Sequence, residues 1–193
     1  MSENLHPDGA REVLRNYRDR LSLALKAFDF DQLLPLRLEL EALRMRGGTV
    51  FVAGNGGSAS TSNHYAIDWG IGTGLTNPTL KVMSLSESVS SVTATGNDQN
   101  FDRVFARQLL NFGRSDDLLV VISASGNSPN LLELAQTARD MGVKVCAVTG
   151  FDGGRLREMC DLSIHVETEL GDYGVAEDLH LMVGHVMKEL IRG

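Results

Sequence analysis

Five short apolar runs, at residues 49–53, 80–85, 118–122, 143–148 and 162–166, punctuate this chain, and segments of helical periodicity lie between them. The runs are continuous rather than alternating, which is the pattern of strands buried on both faces. Strands of that kind joined by helix-length segments make right-handed βαβ units, and such units build a parallel sheet covered by helices on both sides. The expected fold class is therefore α/β, a three-layer sandwich around a five-stranded parallel sheet. Two amphipathic helices precede the first strand. One carries Val13, Leu14, Tyr17, Leu21, Leu25 and Phe28 at helical spacing, and the second runs from near Asp31 through Leu34, Leu38 and Leu43 to a stop at Gly47-Gly48. A last helix is predicted from about residue 176 to 191, with Leu179, Val183, Val186, Met187 and Leu190 on its apolar face.

At 193 residues the chain has the length of one domain and buries a core without disulfides or metals. Residues 1–46 read as a helical preface to it. The net charge of -7 disfavours nucleic acid and anionic membrane as partners, so any anion site has to be built locally. Cys146 and Cys160 fall in no metal or redox spacing and read as free thiols of a reducing compartment. Residues 1–7 show no signal-peptide pattern and no run reaches membrane-spanning length, so the expected location is cytoplasmic.

Two loops carry the chemistry. After the first strand comes Gly54-Asn55-Gly56-Gly57-Ser58-Ala59-Ser60, and after the third comes Ser123-Ala124-Ser125-Gly126-Asn127-Ser128-Pro129. In parallel sheets ligands sit at the carboxyl ends of strands, where the free amides of helix starts attract anions. Pro129 suits the first helical position with Ser128 as N-cap. Each loop taken alone also reads as an ordinary tight turn. Neither matches the P-loop or the spaced dinucleotide glycines, and neutral hydroxyl donors suit a phosphomonoester with a polyol attached. His64 and Asp68, four residues apart, share one face of the helix after the first loop; that spacing fits either a local hydrogen bond or a shared ion.

Together, Gly54-Asn55-Gly56-Gly57-Ser58, His64, Asn97-Asp98 and Ser123-Ala124-Ser125-Gly126-Asn127-Ser128 resemble the sugar isomerase (SIS) fold, which is flavodoxin-like, and within it the phosphoheptose isomerase family. The resemblance implies an aldose-ketose isomerase that converts sedoheptulose 7-phosphate to D-glycero-D-heptose 7-phosphate through an enediol. It implies a divalent metal, zinc by preference, on His64, Asp68, Glu177 and His185, with Asp68 and His185 sharing the acid-base work. Asn55, Gly56, Gly57, Ser58, Asp68, Asn97, Asp98, Ser123, Ala124, Ser125, Ser128 and Glu177 would contact substrate. Read on their own, Asn97 and Asp98 also suit a cap for a helix over residues 101–112.

The chain departs from the family pattern in three places. Asp68 replaces a Glu, Glu177 replaces a Gln, and the stretch Trp69-Gly70-Ile71-Gly72 lacks a customary arginine. Eight residues of helix span about 12 Å, so Glu177 and His185 reach one ion only if Glu177 precedes the helix or a second chain completes the site. A Glu177–His180 pair is a further option. The family's homotetramers imply active sites near subunit interfaces, with the preface helices between subunits. A non-catalytic phosphosugar-binding or DnaA-binding protein, or an isomerase of another sugar phosphate, is the alternative on the same fold.

Overall fold

The computed structural model describes residues 7–193; the reading of the first six residues as free of a targeting signal falls outside them. Helix α1 covers Pro7–Ala27, and after a 3₁₀ turn over Phe30–Gln32 helix α2 covers Leu33–Arg46. Gly47 ends α2 in the left-handed conformation that a C-cap requires, with φ 77°. Strand β1 (Thr49–Gly54) leads into α3 (Gly57–Tyr65), which continues as a π-helical segment, Ala66–Ile71. The chain proceeds through β2 (Lys81–Ser84), α4 (Val89–Asp98), α5 (Ala106–Phe112), β3 (Leu118–Ser123), α6 (Pro129–Asp140), β4 (Lys144–Thr149), α7 (Gly154–Met159), β5 (Leu162–His165) and α8 (Tyr173–Arg192).

All five apolar runs form strands, and the sheet is parallel throughout in the order β2-β1-β3-β4-β5. Successive residues of a strand face opposite sides. Val50, Val52, Leu118, Val120 and Ile122 point into one core with Leu36, Leu40, Leu43, Tyr65, Trp69, Leu179 and Val183. Phe51, Ala53, Leu119 and Val121 point into the other with Val104, Phe105, Leu109, Leu131, Leu134 and Leu156. This double burial is why the runs of β1, β3 and β4 are apolar without alternation, whereas the edge strands β2 and β5 are only partly buried.

The strand order reverses direction between β1 and β3, and the loops after these two strands flank the crevice that a parallel sheet opens at such a point. Helix α1 is held to the body by Tyr17, whose hydroxyl donates to Asp178 at 2.7 Å, and by an Arg20–Asp172 ion pair at 3.0 Å. Its apolar stripe is only half used: Phe28 is buried, but Val13 and Leu14 are exposed. Cys146 and Cys160 are both free thiols. Among the described residues no helix is long and apolar enough to cross a membrane.

Two sequence expectations change. Helix α8 begins at Tyr173 rather than near residue 176, which puts Glu177 in its second turn. Asn97 and Asp98 end α4 instead of capping the following helix; the cap there is Asn100, which accepts from the Arg103 amide at 3.1 Å.

Candidate active site

The crevice between the β1 and β3 loops is a cleft of about 120 Å³ lined by Asn55, Ser58, Ser123, Ala124, Ser125, Ser128, Tyr173 and Glu177, with Ile122 and Leu131 at its floor. Each loop hydroxyl has a distinct part. Ser123 Oγ is buried and accepts from the Gly126 amide at 3.1 Å, and Ser125 Oγ accepts from the Asn127 amide at 3.3 Å, so both shape the turn. Ser128 has the extended N-cap backbone, with Pro129 following, but its hydroxyl makes no capping bond. That hydroxyl is therefore free for a ligand at the start of α6, where unpaired amides favour an anion. Gly126 is required on two counts: its φ is 63°, and a Cβ would run into the Gly153–Gly154 backbone.

The β1 loop is pinned from the side. Asn55 and Asn130 exchange side-chain amide hydrogen bonds at 2.9 and 2.8 Å, which ties the first loop to the start of α6. Gly56 caps α3 at φ 54°, and Gly57 opens the helix. A Cβ on Gly57 would lie 2.5 Å from the Glu177 carboxyl carbon, so this glycine makes room for that carboxylate. Asn97 and Asp98 are exposed, hydrogen-bonded to each other at 2.8 Å, and do not line the cleft.

Helices α3 and α8 run side by side in the same direction, and their pairings hold one register: Gly57 meets Glu177, His64 meets His185, and Asp68 meets Lys188. Close approach depends on Gly184, against which the Tyr65 ring packs. The Tyr65 hydroxyl donates to the His180 carbonyl, and Trp69 Nε1 donates to the Gly184 carbonyl at 2.9 Å. The π-helical segment, marked by Gly72 N–H bonding Ile67 O at 2.8 Å, carries Asp68 and Trp69 inward together. π-turns of this kind cluster at functional sites.

Two helical turns below the cleft, His64, Asp68 and His185 form a cluster whose ligand atoms all lie within 4.8 Å of one another. The His64 and His185 Nε2 atoms are 3.1 Å apart, and Asp68 Oδ2 is 3.3 Å from the first and 4.0 Å from the second. Ligands on a tetrahedral zinc are separated by roughly 3.3 Å, and two imidazoles with a carboxylate are a donor set that zinc accepts, so these three residues fit a divalent ion. Lys188 Nζ donates to Asp68 Oδ1 at 3.0 Å. Burial pushes the Asp68 carboxyl up, but the hydrogen bond and charge of Lys188, with the two imidazoles, hold it below the usual carboxylate range. Beside the cluster lies an open hollow of about 390 Å³ that also touches Val186 and Glu189.

The expected ligand set is thus assembled in three of its four members. Glu177 sits inside α8, eight residues from His185, and its carboxylate faces the cleft, so within one chain the rise of the helix separates it from the cluster. The Glu177–His180 option also fails, because His180 is fully buried and neither ring nitrogen has a hydrogen-bond partner. The sequence reading missed Tyr173, Asn130 and Lys188. Of these only Lys188 left a signal, since it lies three residues from His185 on the same helix face.

A profile of the SIS domain family matches residues 36–150. The phosphoheptose isomerase of Chlorobaculum parvum is 37% identical over 177 residues, covering 91% of this chain and 84% of that protein. That of Rhodospirillum rubrum is 39% identical over 145 residues, covering 75% of this chain and 76% of that protein. The solved phosphoheptose isomerase of Neisseria gonorrhoeae superposes with a TM-score of 0.84 at 28% identity, over 94% of this chain and 99% of that one. With its serine-lined cleft and its His-Asp-His cluster on parallel helices, the chain belongs to the SIS domain family and, within it, to the phosphoheptose isomerases.

Proposed function

We propose that this protein is an aldose-ketose isomerase that converts sedoheptulose 7-phosphate to a D-glycero-D-heptose 7-phosphate, manno or altro at C2. The observation that carries this reading is the placement of the two sites. Gly57 and His64 are seven residues apart, a rise of about 10 Å along one helix face. Family membership gives the reaction, and the order of the two sites along α3 gives its orientation, with the phosphate at the cleft and the reacting carbons toward the His64–Asp68–His185 cluster.

In this reading the phosphate lies at the start of α6, where the free Ser128 hydroxyl and the Ser125 side chain donate to it. Ser123 and Ala124 hold the loop, and Asn55, Gly56, Gly57 and Ser58 meet the middle of the sugar. Glu177 accepts hydroxyl hydrogens in the cleft. Asn97 and Asp98 stand apart from the cleft, and a ligand role for them requires a neighbouring subunit's site.

Isomerisation takes a proton from C1 and returns one to C2, while O1 gives up its hydroxyl proton and O2 gains one, so that the carbonyl passes from C2 to C1. His185, the more exposed imidazole, moves the carbon-bound proton at Nδ1, the ring nitrogen turned away from the cluster that its Nε2 joins. Asp68 keeps its negative charge toward both Nε2 atoms and so steadies the protonated ring. A divalent ion, zinc by its ligand chemistry, would be held by His64, Asp68 and His185 and would supply Lewis-acid polarisation of the carbonyl.

The cleft is smaller than the roughly 300–1,000 Å³ of ordinary ligand sites, which favours completion by a second copy. The exposed Val13, Leu14, Ile67 and Ile71 give apolar surface for such contacts, in keeping with a homotetramer whose active sites lie near subunit interfaces. A cytoplasmic location suits the two free thiols. The test is incubation with sedoheptulose 7-phosphate and zinc, followed by NMR: an aldose heptose 7-phosphate is expected, and its absence would overturn the reading.

A further inference from the structure

We infer that Lys188 is a positioning residue that shares Asp68 with the metal: it clamps one carboxylate oxygen, leaves the other to the imidazoles, and thereby weakens the site's hold on a divalent ion. The inference rests on reading His64, Asp68 and His185 as the metal site.

Three observations carry it. Lys188 Nζ lies 3.0 Å from Oδ1, while Oδ2 of the same carboxylate is the atom turned to His64 at 3.3 Å and His185 at 4.0 Å. The two oxygens are thus assigned to different partners, and Asp68 is committed to single-oxygen ligation. The lysine stem has a prepared path as well: a Cβ on Gly72 would lie 3.0 Å from Lys188 Cε, so the missing side chain at the end of the π-helical segment is what lets the stem cross to Asp68. Finally, residues 69–72 offer no basic side chain, and Lys188 is the cation that lines the hollow beside the cluster.

The electrostatic consequence has a definite sign. An ammonium on one carboxylate oxygen and a dication on the other stand roughly 5 Å apart, and even at the dielectric of water their repulsion changes affinity by about tenfold or more. Freeing Oδ1 for two-oxygen ligation acts in the same direction. Lys188 therefore makes a site that takes its ion loosely and reversibly.

The experiment measures zinc affinity of the chelator-stripped full chain by competition with a chromophoric chelator, for wild type, Lys188→Met, Lys188→Gln, Lys188→Arg and His185→Ala. Both neutral variants should bind zinc at least tenfold more tightly, and Lys188→Arg, which keeps the charge, should stay within about threefold of wild type. Metal-free melting should fall in the neutral variants while the zinc-induced rise in melting temperature grows, a pair of opposite changes that a merely structural lysine would not give. Unchanged or weaker zinc binding in both neutral variants overturns the inference. Undiminished binding in His185→Ala overturns the metal-site reading instead, and absence of zinc binding in every form overturns both.

Discussion

Gly184→Ala puts the helix pairing that builds the site under direct test. In an exposed helix this substitution stabilises by about 0.5–1 kcal/mol, because alanine is the better helix former. Here the sign should reverse. The added Cβ would fall 2.5 Å from Tyr65 Cδ1 and nearer still to Cε1, against an ordinary carbon contact of about 3.5–4.0 Å. The Tyr65 ring cannot swing aside: it is fully buried, its hydroxyl is bonded to the His180 carbonyl, and it packs at 4.4 Å on the Trp69 ring. Relief therefore comes from parting α3 and α8 by about 1 Å, which strains the Trp69–Gly184 hydrogen bond and loosens the core around Met187 and Val183. Overpacking of this kind costs about 1–3 kcal/mol and the strained hydrogen bond adds about 1, which after the helix-propensity gain leaves a net loss of about 2 kcal/mol. Urea unfolding would read this directly, and the melting temperature should drop by about 4–8 °C. Because the same separation moves His64 from His185, zinc affinity should fall more than tenfold. A variant as stable as wild type, with unchanged zinc binding, would refute the idea that close helix packing sets the cluster.

Gly57→Ala should behave in the opposite way, since its Cβ meets the end of the Glu177 side chain instead of a buried ring; the cleft loses activity at least tenfold, while urea stability stays within about 1 kcal/mol. Ser128→Ala should raise KM for the sugar phosphate several-fold with little effect on melting, because its hydroxyl makes no capping bond to lose. Burial pushes the His180 imidazole down to about 4. The unfolded chain binds that proton from about pH 6.5 downward and the folded chain does not until about pH 4, so stability present above pH 6.5 is lost as the pH falls through this window. The loss is about 3 kcal/mol. In His180→Phe that part of the acid-side slope should disappear, as a pH series of urea titrations would show.

Much of this was legible in the residues. The runs of β1, β3 and β4 were readable as strands because both of their faces are buried, and the Ser123–Ser128 and Gly54–Ser58 segments fell at the switch point that the strand order creates. The start of α8 was less visible: Gly174 looks like a breaker, yet it is tolerated because Tyr17 of α1 packs on it, within 3.1–3.2 Å of where a Cβ would be. Placing the start three residues too late left room for Glu177 to precede the helix, and the structure removes that room. The capping reading of Asn97 and Asp98 gives way to Asn100, which follows them closely and accepts from the Arg103 amide. Lys188 stood on the right helix face, but its partner Asp68 is 120 residues away in the chain, a pairing that spacing alone does not reveal.

The central claim is proton transfer at C1 and C2 of a ketose heptose phosphate, and the most direct measurement is NMR of the reaction run in D₂O with zinc. The account predicts an aldose heptose 7-phosphate carrying deuterium at C2, delivered through the solvent-exposed His185. Unchanged sedoheptulose 7-phosphate, or an aldose whose C2 hydrogen is wholly the original C1 hydrogen, would contradict it.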